Sequence, residues 1–98
     1  NMRDGSLICV GKGNEDWNFS APHGAGRLMS RKAAKESFTL SEFKKQMKDV
    51  FSTTVAKDTL DECPMAYKSM DAIVQNITPT ADIEKTVKPT YNFKAGEE

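Results

Sequence analysis

The apolar positions divide the chain into short elements with polar connections. Leu7, Ile8, Cys9 and Val10 form a compact apolar run bounded by Gly5 and Gly11, which reads as a buried strand over 6–10. Trp17 and Phe19 follow a Gly11–Asn14 turn, and as large aromatics they are expected to pack the approach to the next turn, with an exposed base-stacking aromatic as the alternative. Leu28, Met29, Ala33 and Ala34 fall at helical spacing and predict a short helix over about 28–36. The clearest local signal follows it. Thr39 and Glu42 have the spacing of a capping box, and Phe38 and Phe43 flank it as a hydrophobic staple. Leu40, Phe43, Met47 and Val50 then carry a helix to about Asp49.

The β-branched run from Phe51 to Val55 predicts a strand. Asp61 and Pro64 announce a further helix with Ala66, Met70, Ile73, Val74 and Ile77 as its stripe, stopped by Thr78-Pro79. Ile83 to Lys94 alternates loosely around Pro89 and reads as one or two edge strands. The tail Ala95-Gly96-Glu97-Glu98 is expected to fray. No repeat, low-complexity tract or linker interrupts the pattern. The expectation is one α+β unit over 1–98, with short strands and about three helices.

The totals narrow the class. The 98 residues suit one domain or less, a size that buries roughly 60–70% of its unfolded surface. Fourteen basic and fourteen acidic residues cancel, but unevenly: residues 27–48 carry a net +5 against −1 before them and −4 after. Such a block suits a phosphate-rich partner, and equally a solvated helix face. Cys9 and Cys63 are too few and too far apart for a disulfide framework or zinc-finger spacing. With no signal peptide and no membrane-length apolar run, the expected compartment is reducing and cytoplasmic. The sequons at Asn18 and Asn76 carry no meaning there. Asn1 ahead of Met2 reads as a leftover residue or a fragment boundary.

Candidate chemistry concentrates at Ser20-Ala21-Pro22-His23-Gly24-Ala25-Gly26-Arg27, which holds the sole histidine. Gly24 and Gly26 allow positive φ and close approach of backbone to a ligand. Successive N–H groups ahead of a helix make a nest for a phosphate, and Arg27 adds a planar fork. A histidine so placed can attack phosphorus, orient a nucleophile or bind a metal. The plainer alternative is a tight turn with a surface imidazole.

Taken together, Met2–Gly5, Gly11–Asn14, Trp17–Arg27 and Met29-Ser30-Arg31 resemble the C-terminal part of the RtcB family of RNA ligases. Pro64-Met65-Ala66-Tyr67-Lys68 extends the match, and the region of Lys94 completes it more weakly. The resemblance implies a GTP- and Mn²⁺-dependent enzyme that joins RNA 3′-phosphate or 2′,3′-cyclic phosphate ends to 5′-hydroxyl ends. It implies that His23 carries a covalent guanylate. It further implies that Gly24, Ala25, Gly26 and Arg27 surround the transferred phosphate, that Tyr67 lies against the bound GMP, and that Lys94 contacts the guanine.

The family's Mn²⁺ ligands lie in upstream segments that this sequence lacks, so no metal ligand is assigned and the isolated chain is expected to be inactive. RNA ends are the implied partners. Two rival readings are a non-catalytic phosphate- or RNA-binding module and a truncated relic that self-associates as a homo-oligomer through an exposed apolar face.

Overall fold

A computed structural model describes residues 1–96; Glu97 and Glu98, half of the tail expected to fray, lie outside the described residues. The architecture is α+β: strand β1 (Ser6–Gly11), helices α1 (Arg31–Ser37), α2 (Leu40–Gln46) and α3 (Met70–Ile77), and strand β2 (Ala81–Val87). Short 3₁₀ turns at Glu15–Trp17, Lys57–Glu62 and Pro64–Ala66 fill the connections.

The two strands pair antiparallel from Ser6 opposite Val87 to Gly11 opposite Ala81, joining the two ends of the chain. Ile8 faces Lys85 and Cys9 faces Ile83, so Glu84 is an extra residue in β2 and forms a bulge. The bulge keeps Lys85 and Asp82 on the same face as Ile8 and Val10. Gly5 enters this ribbon at φ 91°, where a Cβ would collide with the Val87 carbonyl. Only glycine fits there.

The expectation that β1 is buried is not met. Ile8, Val10 and Val87 are exposed, because a two-stranded ribbon offers no second layer to cover that face.

The core lies at the helical end. Met2, Ala34, Phe43, Met47, Val50, Leu60, Cys63 and Ala66 form one buried cluster, with Met29, Phe38, Leu40, Val55, Met65 and Tyr67 packed against it. The capping box forms as the spacing predicts: Thr39 Oγ1 accepts from the Glu42 N–H at 3.2 Å, and the Thr39 N–H donates to Glu42 Oε1 at 3.3 Å. Phe38 and Phe43 both reach the core, so the staple secures the entry to α2.

Several boundaries differ from the sequence pattern, each for a local reason. The first helix begins at Arg31 because Ser30 caps it through the Ala33 N–H, leaving Leu28 exposed. The second ends at Gln46. Thr59 Oγ1 donates to the Thr54 carbonyl and accepts from the Ala56 N–H at 3.2 Å, so residues 51–55 coil instead of extending as a strand. Phe51 keeps a single bridge to Tyr91, with the rings stacked at 5.6 Å.

The helix announced by Asp61 and Pro64 starts at Met70, where Ser69 caps the Ala72 N–H; Ala66 belongs to the preceding turn. Of the one or two edge strands expected over 83–94, the described residues form one, which begins earlier, at Ala81, and stops at Val87, before Pro89. Trp17 and Phe19 do not pack the approach to the glycine turn; they are 54% and 69% exposed. Asn18 and Phe19 both take positive φ, which reverses the chain and turns the rings outward.

The radius of gyration is 15.0 Å, against roughly 13 Å for a compact domain of this length. The excess comes from the ribbon and α3, which extend away from the helical core to give a molecule 43 Å long.

Thr39→Ala is expected to cost about 1 kcal/mol through the lost cap. Phe43→Ala, fully buried in the core, is expected to cost about 3–5 kcal/mol. Denaturant midpoints of the two variants test that order.

Candidate functional site

The glycine turn lies between the ribbon and α3. His23 is exposed, and with Pro22, Gly24 and Ala25 it borders a cavity of about 270 Å³. The opposite wall comes from Asp4, Leu7 and Cys9 on the ribbon side and from Met70, Ile73 and Ile77 of α3. Asp4 is held below the usual carboxylate range chiefly by its hydrogen bond from Arg3, against the opposing effect of burial.

Gly26 takes φ 76°, whereas Gly24 stays out of the left-handed region. Four residues separate Gly26 from Arg31, where α1 begins, so the N–H groups of the glycine turn are not continuous with that helix end.

A residue not singled out by sequence reasoning also borders this cavity. The Lys68 N–H donates to the Gly26 carbonyl at 3.0 Å, and the Lys68 stem runs past Gly26. Among the described residues its ammonium has no acidic partner. The signal was present in the sequence as a lysine directly after Tyr67, but its direction depended on the pairing of residues 26–28 with 66–68.

That pairing is a small antiparallel bridge. The Leu28 N–H donates to the Ala66 carbonyl at 2.8 Å, which sets Arg27 opposite Tyr67. The Arg27 guanidinium lies 4.9 Å from the Tyr67 ring centroid and donates to Tyr67 Oη at 3.2 Å. It also donates to the carbonyls of Met29 and Asp61. Its planar fork is thus engaged within the protein.

The second missed residue is Glu62, which is 9% exposed. Tyr67 Oη donates to Glu62 Oε2 at 2.6 Å, and Lys94 Nζ lies 3.4 Å from the same oxygen. Arg31 donates to Glu62 Oε1 and, at 2.8 Å, to Asp61 Oδ2; the Arg27 guanidinium lies 4.0 Å from Glu62 Oε1. Burial alone would raise the Glu62 pKa. The Tyr67 and Arg31 hydrogen bonds and the Lys94 charge outweigh it and hold the carboxyl at about 2.

Tyr67 is pushed upward, first by burial and then by its bond to the Glu62 anion. Arg31 is held more firmly protonated by its hydrogen bonds to Asp61 and Glu62. Burial raises the Cys63 thiol, which sits in the core.

Lys94 reaches this cluster because Phe51 and Tyr91 bridge the last segment to the core, and the Lys94 N–H donates to Thr54 Oγ1 at 2.9 Å. The structure therefore sorts the sequence-predicted residues into two groups. His23, Gly24 and Ala25 line the cavity; Arg27, Tyr67 and Lys94 converge on Glu62; Gly26 joins the groups through Lys68. The two arginines of the basic block face carboxylates, while Lys32, Lys44, Lys45 and Lys48 are exposed. Among the described residues no group of three or more His, Cys, Asp or Glu can hold a metal ion.

Fold and site together define an α+β segment with an exposed histidine at a cavity and, separately, a nearly buried carboxylate that gathers three cations. The sequence profile of the family described as tRNA-splicing ligase RtcB matches residues 1–95. The chain belongs to that family. The RNA-splicing ligase RtcB of Escherichia coli K12 is 36% identical over 91 residues, covering 91% of this chain and 22% of that protein. The tRNA-splicing ligase RtcB of Aeropyrum pernix is 37% identical over 79 residues, or 76% of this chain and 16% of that protein. That of Nanoarchaeum equitans is 35% identical over 71 residues, or 69% and 15%. The chain thus spans about a fifth or less of the length of these relatives. No solved structure matches it.

The depressed Glu62 pKa sets a pH dependence. Its stabilisation is fully present above the ordinary value of 4.5 and is lost as pH falls from there toward about 2. Glu62→Gln is expected to lower stability by about 2 kcal/mol at neutral pH, the contribution of a charged hydrogen bond. Its deficit against the parent should shrink below pH 4, as read by thermal melts across pH.

Proposed function

We propose that the chain is the C-terminal, guanylate-accepting segment of a GTP- and manganese-dependent RNA ligase. That ligase joins RNA 3′-phosphate or 2′,3′-cyclic phosphate ends to 5′-hydroxyl ends. The observation that carries this reading is His23 at an open cavity, on a glycine turn inside the family match. In its neutral form an imidazole nitrogen is a competent nucleophile near pH 7. It attacks the α-phosphorus of GTP, an N–P bond forms, and the bond to the β-phosphate oxygen breaks to release pyrophosphate. The guanylate then passes to the RNA 3′-phosphate, and the 5′-hydroxyl displaces GMP as the strand closes.

The chain's own groups divide this work. Gly24, Ala25 and Gly26 let the phosphate approach the backbone closely, and the Lys68 ammonium brings positive charge to the same cavity. Tyr67 lies against the nucleotide and Lys94 contacts its guanine. Arg27 serves the nucleotide through its stack on Tyr67, which holds that ring in place.

Manganese would supply charge stabilisation at the phosphates when bound. Its donors are not gathered among the described residues, and without the remainder of the ligase the chain is inactive. No described helix is long and apolar enough to cross a membrane.

One observation favours a second reading for the chain alone. Leu28, Phe51, Tyr91 and Phe93 are exposed, as are Ile8 and Val10 on the ribbon, and exposed apolar side chains in this number favour a homo-oligomer.

Intact-mass analysis after incubation with GTP and Mn²⁺ tests the proposal. The chain mixed with a separately supplied upstream region is expected to gain one guanylate, which is lost in His23→Ala, while the chain alone gains none. A folded, assembled mixture that stays unlabelled overturns it.

A further inference from the structure

The four groups gathered on Glu62 do not depend on it equally. Arg27 keeps three other acceptors, the carbonyls of Met29 and Asp61 and the Tyr67 hydroxyl. Arg31 keeps the Asp61 carboxylate. For Lys94, however, Glu62 is the one acidic partner among the described residues, and the Tyr67 hydroxyl donates to Glu62. A change at this carboxylate therefore falls selectively on Tyr67 and Lys94. The two arginines, which secure the local fold, retain partners.

The two side chains also differ in how much they need holding. The Lys94 side chain is 39% exposed at the end of a flexible four-carbon stem, whereas that of Glu62 is 11% exposed in a rigid 3₁₀ turn. Anchoring a mobile ammonium to a fixed anion removes rotamer freedom before a ligand arrives, which lowers the entropic cost of binding. The shared oxygen Oε2 sets the spacing between the Tyr67 hydroxyl and the Lys94 ammonium. Three cations, Arg27, Arg31 and Lys94, face two carboxylates, Asp61 and Glu62. The cluster keeps a surplus positive charge even with Glu62 ionised.

We propose that Glu62 is a positioning residue for guanine-nucleotide binding, holding Tyr67 and Lys94 at a fixed spacing without itself touching the reacting atoms. This rests on the functional reading above, in which those two side chains meet the nucleotide.

The experiment follows guanylylation of His23 against GTP concentration, with the chain assembled with the upstream part of a family ligase. Glu62→Gln keeps the shape and an acceptor for Tyr67 but removes the charge on Lys94. Glu62→Gln and Lys94→Met are each expected to raise the half-saturating GTP concentration about tenfold, as for loss of one charge-assisted contact. Maximal rates should stay within about twofold, and the double variant should match the singles because the two residues act as one unit. Asp61→Asn, which removes a partner of Arg31 only, serves as the structural control: it should lower the melting temperature and leave half-saturation unmoved.

A labelled parent with Glu62→Gln unmoved, or shifted no more than Asp61→Asn, overturns the inference alone. Independent, multiplying shifts in the double variant also overturn it. A parent assembly that places no guanylate on His23 removes the functional reading, and the inference with it.

Discussion

The arrangement depends on one constraint: a carboxylate taken almost out of water must be surrounded by donors. Burying Glu62 without partners would cost several kcal/mol. The chain meets that demand by bringing Arg27, Arg31, Tyr67 and Lys94 from four separate segments to two oxygens. Donors outweigh desolvation, so the group stays ionised well below its ordinary range. The glycine turn, the first turn of α1, the loop after Pro64 and the last described segment are thereby tied to one point.

The apolar core supplies the rigidity that this polar cluster needs. Leu60, Cys63 and Ala66 are buried on either side of Asp61 and Glu62, so the turn carrying the carboxylates cannot shift without opening the core. Phe43 of α2 and Met47, which caps its end, pack in the same cluster, and the entry angle of α2 is set by the capping box and its flanking phenylalanines. Packing holds the backbone, and the charges then choose the side-chain directions.

The other end of the molecule is built differently. The ribbon and α3 leave an open cavity beside His23 and an uncovered apolar face on β1. The chain spans about a fifth of its relatives' length, and its radius of gyration lies above that of a compact domain. Under the function proposed above, this division places the nucleotide-facing side chains on the packed end and leaves His23 open to solvent.

Much of this was legible in the residues themselves. The α2 cap is a local code, because Thr39, Glu42, Phe38 and Phe43 interact within one turn of chain. Likewise the glycine turn with His23 and Arg27, the α+β class and the family could be read without coordinates, since motif spacing is a property of sequence. What failed depended on distant partners. The β1 face was expected to be buried, but its exposure follows from the sheet having two strands. Residues 51–55 looked like a strand by propensity, yet Thr59 turned them into a coil.

Lys68 and Glu62 gave no pattern of their own. A lone lysine or glutamate acquires meaning from what surrounds it: Glu62 meets Arg31, Lys94 and Arg27 at separations of 31, 32 and 35 positions, and Lys68 meets Gly26 at 42. The sequence by itself determined the local turns, caps and chemistry-bearing residues, because those rest on short-range sterics and hydrogen bonds. Only the tertiary structure decided which charges meet, because electrostatic pairing acts through space and carries no signature in spacing along the chain.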